Sequence, residues 1–141
     1  MPVIDDLEPC TAFPDVADTL RAVGWLGRSS DYVRGAVSSA FFDQLAALCK
    51  DPWQPHREAG MHHCELCQFH AAAFTGCLFV PHDGSLYVAP AGIVHYVSVH
   101  WYRPPEVFVD AVLACPPMRS TGYRQALLVN GGRRLIAGAG R

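Results

Sequence analysis

Charge is what this sequence has little of. Only 17% of its residues are charged, and the formal net charge at pH 7 is −2. Such a chain has no overall field that would draw in nucleic acid or an anionic membrane surface, so neither is expected as a partner. Also missing is any run of about 18 uninterrupted apolar residues, the length a membrane helix needs. The opening MPVIDDLEPC is acidic and lacks the basic flank and apolar stretch of a secretory signal. These absences point to a cytoplasmic chain. No internal repeat is present either, which excludes a solenoid. What the chain does have is apolar content: half of its 141 residues. That excludes a disordered polymer. A chain of this length buries about 68–70% of its unfolded surface, enough for a core that needs no metal merely to hold it together. One globular domain over residues 1–130 is expected.

Helical spacing appears first in FPDVADTLRAVG, where Phe13, Val16, Leu20 and Val23 share a stripe and Gly24 offers a stop. A longer helix is expected from Asp31 to Lys50, with Val33, Val37, Phe41, Leu45 and Leu48 on one face and Ser30 or Asp31 as cap. DPWQPHREAG then breaks helical structure with two prolines and a glycine. From Gly76, GCLFVPHDGSLYVAP reads as a hairpin, since Asp83-Gly84 is strong turn chemistry between β-formers. Residues 90–102 mix strand composition with the helical stripe Ile93, Val97, Trp101; Pro90 tips the reading towards a helix. A further helix should start at Pro104 or Pro105, bury Val107, Phe108, Val112 and Cys115, and end at Pro116-Pro117. STGYRQALLVNGG gives a final short helix closed by Gly131, and residues 131–141, rich in glycine and without a core period, are expected to be a flexible tail. The fold class is α+β: helices at both ends and one small antiparallel hairpin between them.

The chemistry concentrates in GMHHCELCQFH, residues 60–70, where three histidines and two cysteines share eleven positions. Cys64 and Cys67 form a CxxC pair, whose turn sets two sulfurs on one side of a tight knuckle suited to a tetrahedral zinc ion. The other four cysteines, Cys10, Cys49, Cys77 and Cys115, stand alone; the last three fall in apolar runs where a thiol packs as a small hydrophobe. In an extended lead-in His62 faces the same way as Cys64 and His63 faces away, which favours His62 as the third ligand. The fourth must come from VHYVSVHWY, from His95 or His100. Five residues apart, these two lie about 140° apart around a helix, so only one should join; His95 is preferred as nearer the hairpin, with His100 as the alternative.

Other chemistries fit less well. A thioredoxin-like pair wants a strand before the CxxC and a helix starting at it. A zinc deaminase wants H-x-E, which is absent, and a c-type haem site wants histidine where Gln68 stands. GxHxCxLC at Gly60, His62, Cys64, Leu66 and Cys67, followed by LYVAP, HYVSVHWYRPP and AVLACPPM, resembles a group of small bacterial proteins described only as hypothetical. The resemblance spans about Trp53 to Leu128. It implies that His62, Cys64, Cys67 and the histidines near 95–100 form one constellation, and it implies no reaction.

If four protein ligands close the shell, zinc is structural and the protein acts by binding an unknown protein or small molecule. If only three bind, a water completes the shell and a compact metalloenzyme acting on a small metabolite results. For that second case His63, His70, His100, Tyr96 and Tyr102 are candidates to line a pocket, and Glu58, Glu65 or Glu106 to act as base. The plainer readings are core packing for Tyr96 and Trp101, exposure for His70 and His82, and solvation for Glu65 and Glu106. Two thiolates with two imidazoles favour the closed, structural site.

Overall fold

Asp83-Gly84 does turn the chain, and the hairpin it makes is the centre of the molecule. The computed structural model describes residues 2–55, 61–69 and 71–139. Strands β4 (Cys77–His82) and β5 (Ser85–Pro90) pair antiparallel from Cys77↔Pro90 to His82↔Ser85. Asp83 and Gly84 take φ of +49° and +83°, the left-handed pair that a two-residue type I′ turn requires. Cys77 to Pro81 and Leu86 to Pro90 are all buried, so the hairpin is covered on both faces instead of alternating. On one face Tyr87 meets Phe108, which in turn meets Phe41; on the other Phe79 packs edge-on against Phe13 and Trp53.

The helix expected from Phe13 to Val23 is instead a short 3₁₀ segment, Pro14–Thr19, kinked at Val16. Leu20 goes extended and a two-residue strand β1 (Arg21–Ala22) adds parallel to β5, giving the order β1-β5-β4. Leu20, Ala22 and Val23 are buried there by sheet pairing, which outweighs their helical spacing. The helix expected from Asp31 is also shorter: α1 runs Ser39–Lys50, capped by Ser38, whose Oγ accepts from the Phe41 amide. Val33 lies outside it and is 66% exposed, because residues 33–35 instead bond to the chain after His100: Arg103 N donates to Val33 O, and Gly35 N to Trp101 O.

Helices α2 (Ile93–Val99), α3 (Glu106–Ala114) and α4 (Thr121–Val129) form where the sequence indicates. In α3 the inner stripe is Phe108, Ala111 and Val112, with Val107 turned out and 46% exposed. The chain past Gly131 does have a core residue: α5 (Arg133–Ala139) buries Leu135, so glycine content hid one helical anchor. α1 packs on α2 and α3, while α3 and α4 both contact β4. This is an α+β domain. A second, two-stranded sheet, β2 (His62–His63) with β3 (Ala73–Phe74), stands apart from the first and carries the CxxC turn.

Candidate metal centre

The register His62↔Phe74, His63↔Ala73 continues one residue further, where Cys64 N donates to Ala72 O at 2.8 Å. The chain then turns tightly from Cys64 to Cys67. Backbone amides of Leu66 and Cys67 hydrogen-bond the Cys64 sulfur, the arrangement of a knuckle that presents two sulfurs together. Phe74 anchors this flap on α2: its ring meets Tyr96 edge-on at 5.8 Å and fills the space that a Cβ on Gly92 would need.

The opposite half comes from the C-terminal end of α2. His95 lies within the helix; His100 is its cap, at φ −108° and ψ 10°, with its amide still bonded to Tyr96 O. Trp101 follows at φ +58°, and the segment after it is clamped by the 33–35 pairing and by the Tyr32 hydroxyl, which donates to His100 O. Because the helix ends at Val99, the 140° separation of a continuous helix does not apply, and both imidazoles turn to one point. Their Nε2 atoms are 3.2 Å apart. His100 Nε2 is 3.4 Å from Cys64 Sγ and 3.5 Å from Cys67 Sγ, and His95 Nε2 is 3.3 Å from Cys67 Sγ.

Cys64, Cys67, His95 and His100 thus form a cluster whose four ligand atoms all lie within 4.8 Å of one another, and which can hold a metal ion. Proton sharing alone does not account for it. His100 Nε2 faces two sulfurs and a nitrogen at once, and a neutral ring nitrogen has either one proton or one lone pair to offer. A cation among the four satisfies all of them.

The electrostatics suit such an ion. Burial lowers the pKa of His95, helped by His100, and burial lowers that of His100, helped by Arg34; both rings are therefore held neutral with a lone pair available. Burial raises the Cys64 thiol, the two amides opposing, so an ion entering here displaces a proton. The solitary cysteines differ. Burial alone pushes Cys49 and Cys115 up to about 12, leaving them as inert thiols packed among apolar neighbours.

Two expectations about the site change. His95 and His100 join together, not one or the other. His62 is not in the cluster, although it sits two residues before Cys64. The four ligand atoms that come together are those of Cys64, Cys67, His95 and His100, a set that already fills a tetrahedral shell. Glu58, Gly60 and His70 lie outside the described residues. Tyr96 and Tyr102 are fully buried and His63 is exposed, so they do not line one pocket. Glu65 and Glu106 are exposed, the latter in the first turn of α3. Trp101, expected in the core, is 63% exposed.

The family comparison covers this site. A match over residues 2–113 takes in both halves of the cluster. The chain belongs to the family described as Domain of unknown function (DUF7919). No curated protein and no solved structure matches it. Among the described residues, no helix is long and apolar enough to cross a membrane.

Proposed function

We propose that Cys64, Cys67, His95 and His100 bind one Zn²⁺ in a closed tetrahedral site, and that this ion ties the 61–74 flap to α2 in a protein that acts through binding. The supporting observation is the set of edge lengths. Zinc at about 2.3 Å from sulfur and 2.0–2.1 Å from nitrogen has tetrahedral edges of about 3.5 Å for S···N and about 3.3 Å for N···N. Three of the cluster's four S···N edges are 3.3, 3.4 and 3.5 Å and its N···N edge is 3.2 Å, with all four ligand atoms within 4.8 Å of one another.

Four protein ligands leave no position for the water that a hydrolytic zinc would activate, which favours the structural role over a metalloenzyme. Exposed aromatic residues flank the site on both sides, Phe69 at 93% beyond the knuckle and Trp101 at 63% beyond His100, a surface suited to a partner rather than to a buried substrate. Elemental analysis of cleanly purified protein tests the reading: one zinc per chain is expected. Cobalt put in its place should show the intense absorption of a four-coordinate S₂N₂ site. A metal-free protein, or a five-coordinate cobalt spectrum with an exchangeable water, rejects the closed zinc site.

A further inference from the structure

The charges of this chain are unevenly spread. After Asp110 the sequence holds five arginines and no acidic residue, although the chain as a whole is net negative. Two of the five, Arg119 and Arg124, line a cavity of about 350 Å³ bounded by Trp53, α4 and α5. None of the four metal ligands takes part in it.

The lining is of two kinds. Trp53, Tyr123, Leu127 and Ile136 make it apolar on one part, with Trp53 held edge-on against Phe79 and Tyr123. The remainder is polar, and some of it is spent inside the fold: the Ser120 hydroxyl donates to the Pro117 carbonyl and accepts from the Tyr123 amide, and the Tyr123 hydroxyl donates to the Phe79 carbonyl. What is left to meet a ligand is the Thr121 hydroxyl and two guanidinium groups. Arg119 gives Nε and Nη2 to the Asp51 carboxylate at 3.1 and 3.3 Å, a fork that orients the group and leaves its other N–H donors unspent. Arg124 makes no ion pair among the described residues. No acidic side chain lines the cavity.

Such a lining selects by chemistry. A cavity of this size lies at the small end of those that hold small molecules, in which an apolar wall supplies contact and a few convergent polar groups fix orientation. Two arginines with no carboxylate in the lining ask for a doubly charged anion, and the guanidinium fork matches phosphate oxygens. The apolar part, with an indole in it, suits a flat ring. We infer that this cavity binds a compact aromatic phosphate monoester, its dianionic phosphate on Arg119 and Arg124 and its ring against Trp53 and Leu127. This second site is independent of the metal-binding reading.

The test uses phenyl phosphate as the probe, titrated by calorimetry into the full chain above the second phosphate pKa of about 6, where the probe is a dianion. Saturable one-to-one binding is expected, tighter than that of either half of the probe, inorganic phosphate or phenol, and weakened by added salt. Arg124→Gln changes an exposed side chain, so the fold should survive it, and the affinity should fall by about 10–100-fold, the worth of a hydrogen bond between charged groups. Arg133→Gln removes an exposed arginine of α5 that lies outside the lining, and should leave the affinity unchanged. No saturable uptake, phenyl phosphate held no more tightly than inorganic phosphate, or equal losses in Arg124→Gln and Arg133→Gln overturns the proposal. Chelator-treated protein should bind the probe as well as untreated protein does; a chelator-dependent affinity would place the anion at the metal centre and overturn it too.

Discussion

The β4–β5 hairpin and the 61–74 flap are both two-stranded units closed by a turn, yet they are held by different forces. The hairpin has six paired positions and ten buried residues, Cys77 to Pro81 and Leu86 to Pro90, with aromatic rings on both faces. The flap has two paired positions, and of its described residues only Cys64 is buried. Its attachment to the domain runs through Phe74, the partly buried Leu66 and Ala72, and the four-residue cluster. A short, half-exposed two-stranded ribbon is marginal in water, whereas a hairpin buried on both sides is held by the same hydrophobic term as the rest of the core. The comparison teaches where the proposed ion would matter: it would be dispensable to the core and decisive for the flap.

The largest effect should come from the hairpin side. Phe79→Ala removes a ring at 1% exposure that touches Phe13 and Trp53, and should destabilise the whole domain by about 3–5 kcal/mol, with or without a chelator present. Denaturant unfolding in both conditions checks this. A chelator-dependent loss would mean that core and flap are one unit. Next in size is His100→Ala, which takes one of four ligands and should weaken metal binding by more than the roughly 100-fold that loss of an outer hydrogen bond costs. Its hydrogen exchange should rise in residues 61–74 and stay slow in residues 77–90; uniform acceleration would erase the contrast between the two regions. Smaller again is Gly92→Ala. The added methyl would sit 2.1–2.4 Å from the Phe74 ring, so the ring must leave its seat on Tyr96. Overpacking of this kind costs about 1–3 kcal/mol, felt as earlier flap opening and weaker metal retention, not as loss of the core.

The two regions also differed in how far their residues announced them. The hairpin was legible because its signals are local: a turn dipeptide that takes positive φ and β-formers on either side. The CxxC knuckle was legible for the same reason, and so were α2, α3 and α4, each bounded by proline, serine or glycine. Misreadings arose where distant pairing decided the outcome. Leu20 to Val23 have helical spacing, but β5 offers Arg21 and Ala22 a parallel partner more than sixty residues away. Val33 and Val37 continue the stripe of α1 backwards, but the chain there pairs with the segment after His100, and Ser38 supplies the true cap. The same clamp explains the second histidine. Helical geometry counted on a continuous helix, whereas His100 sits at its end, fixed by Tyr32 and by the turn at Trp101.

The smallest effect, and the sharpest test of the ligand set, belongs to His62. Residue spacing favours it as a ligand because it shares a strand face with Cys64; the cluster leaves it out because the side chains that meet Cys64 and Cys67 come from His95 in α2 and His100 at its end. His62→Ala should therefore leave zinc content at one per chain and cobalt affinity within the few-fold scatter of a surface change, while His95→Ala and His100→Ala each abolish stoichiometric binding. The flap pairing His62↔Phe74 is carried by backbone and survives the substitution. If His62→Ala loses metal and either of the other two variants keeps it, the ion lies on the strand side of the knuckle. In that case the flap is a self-contained metal ribbon, and α2 only covers it.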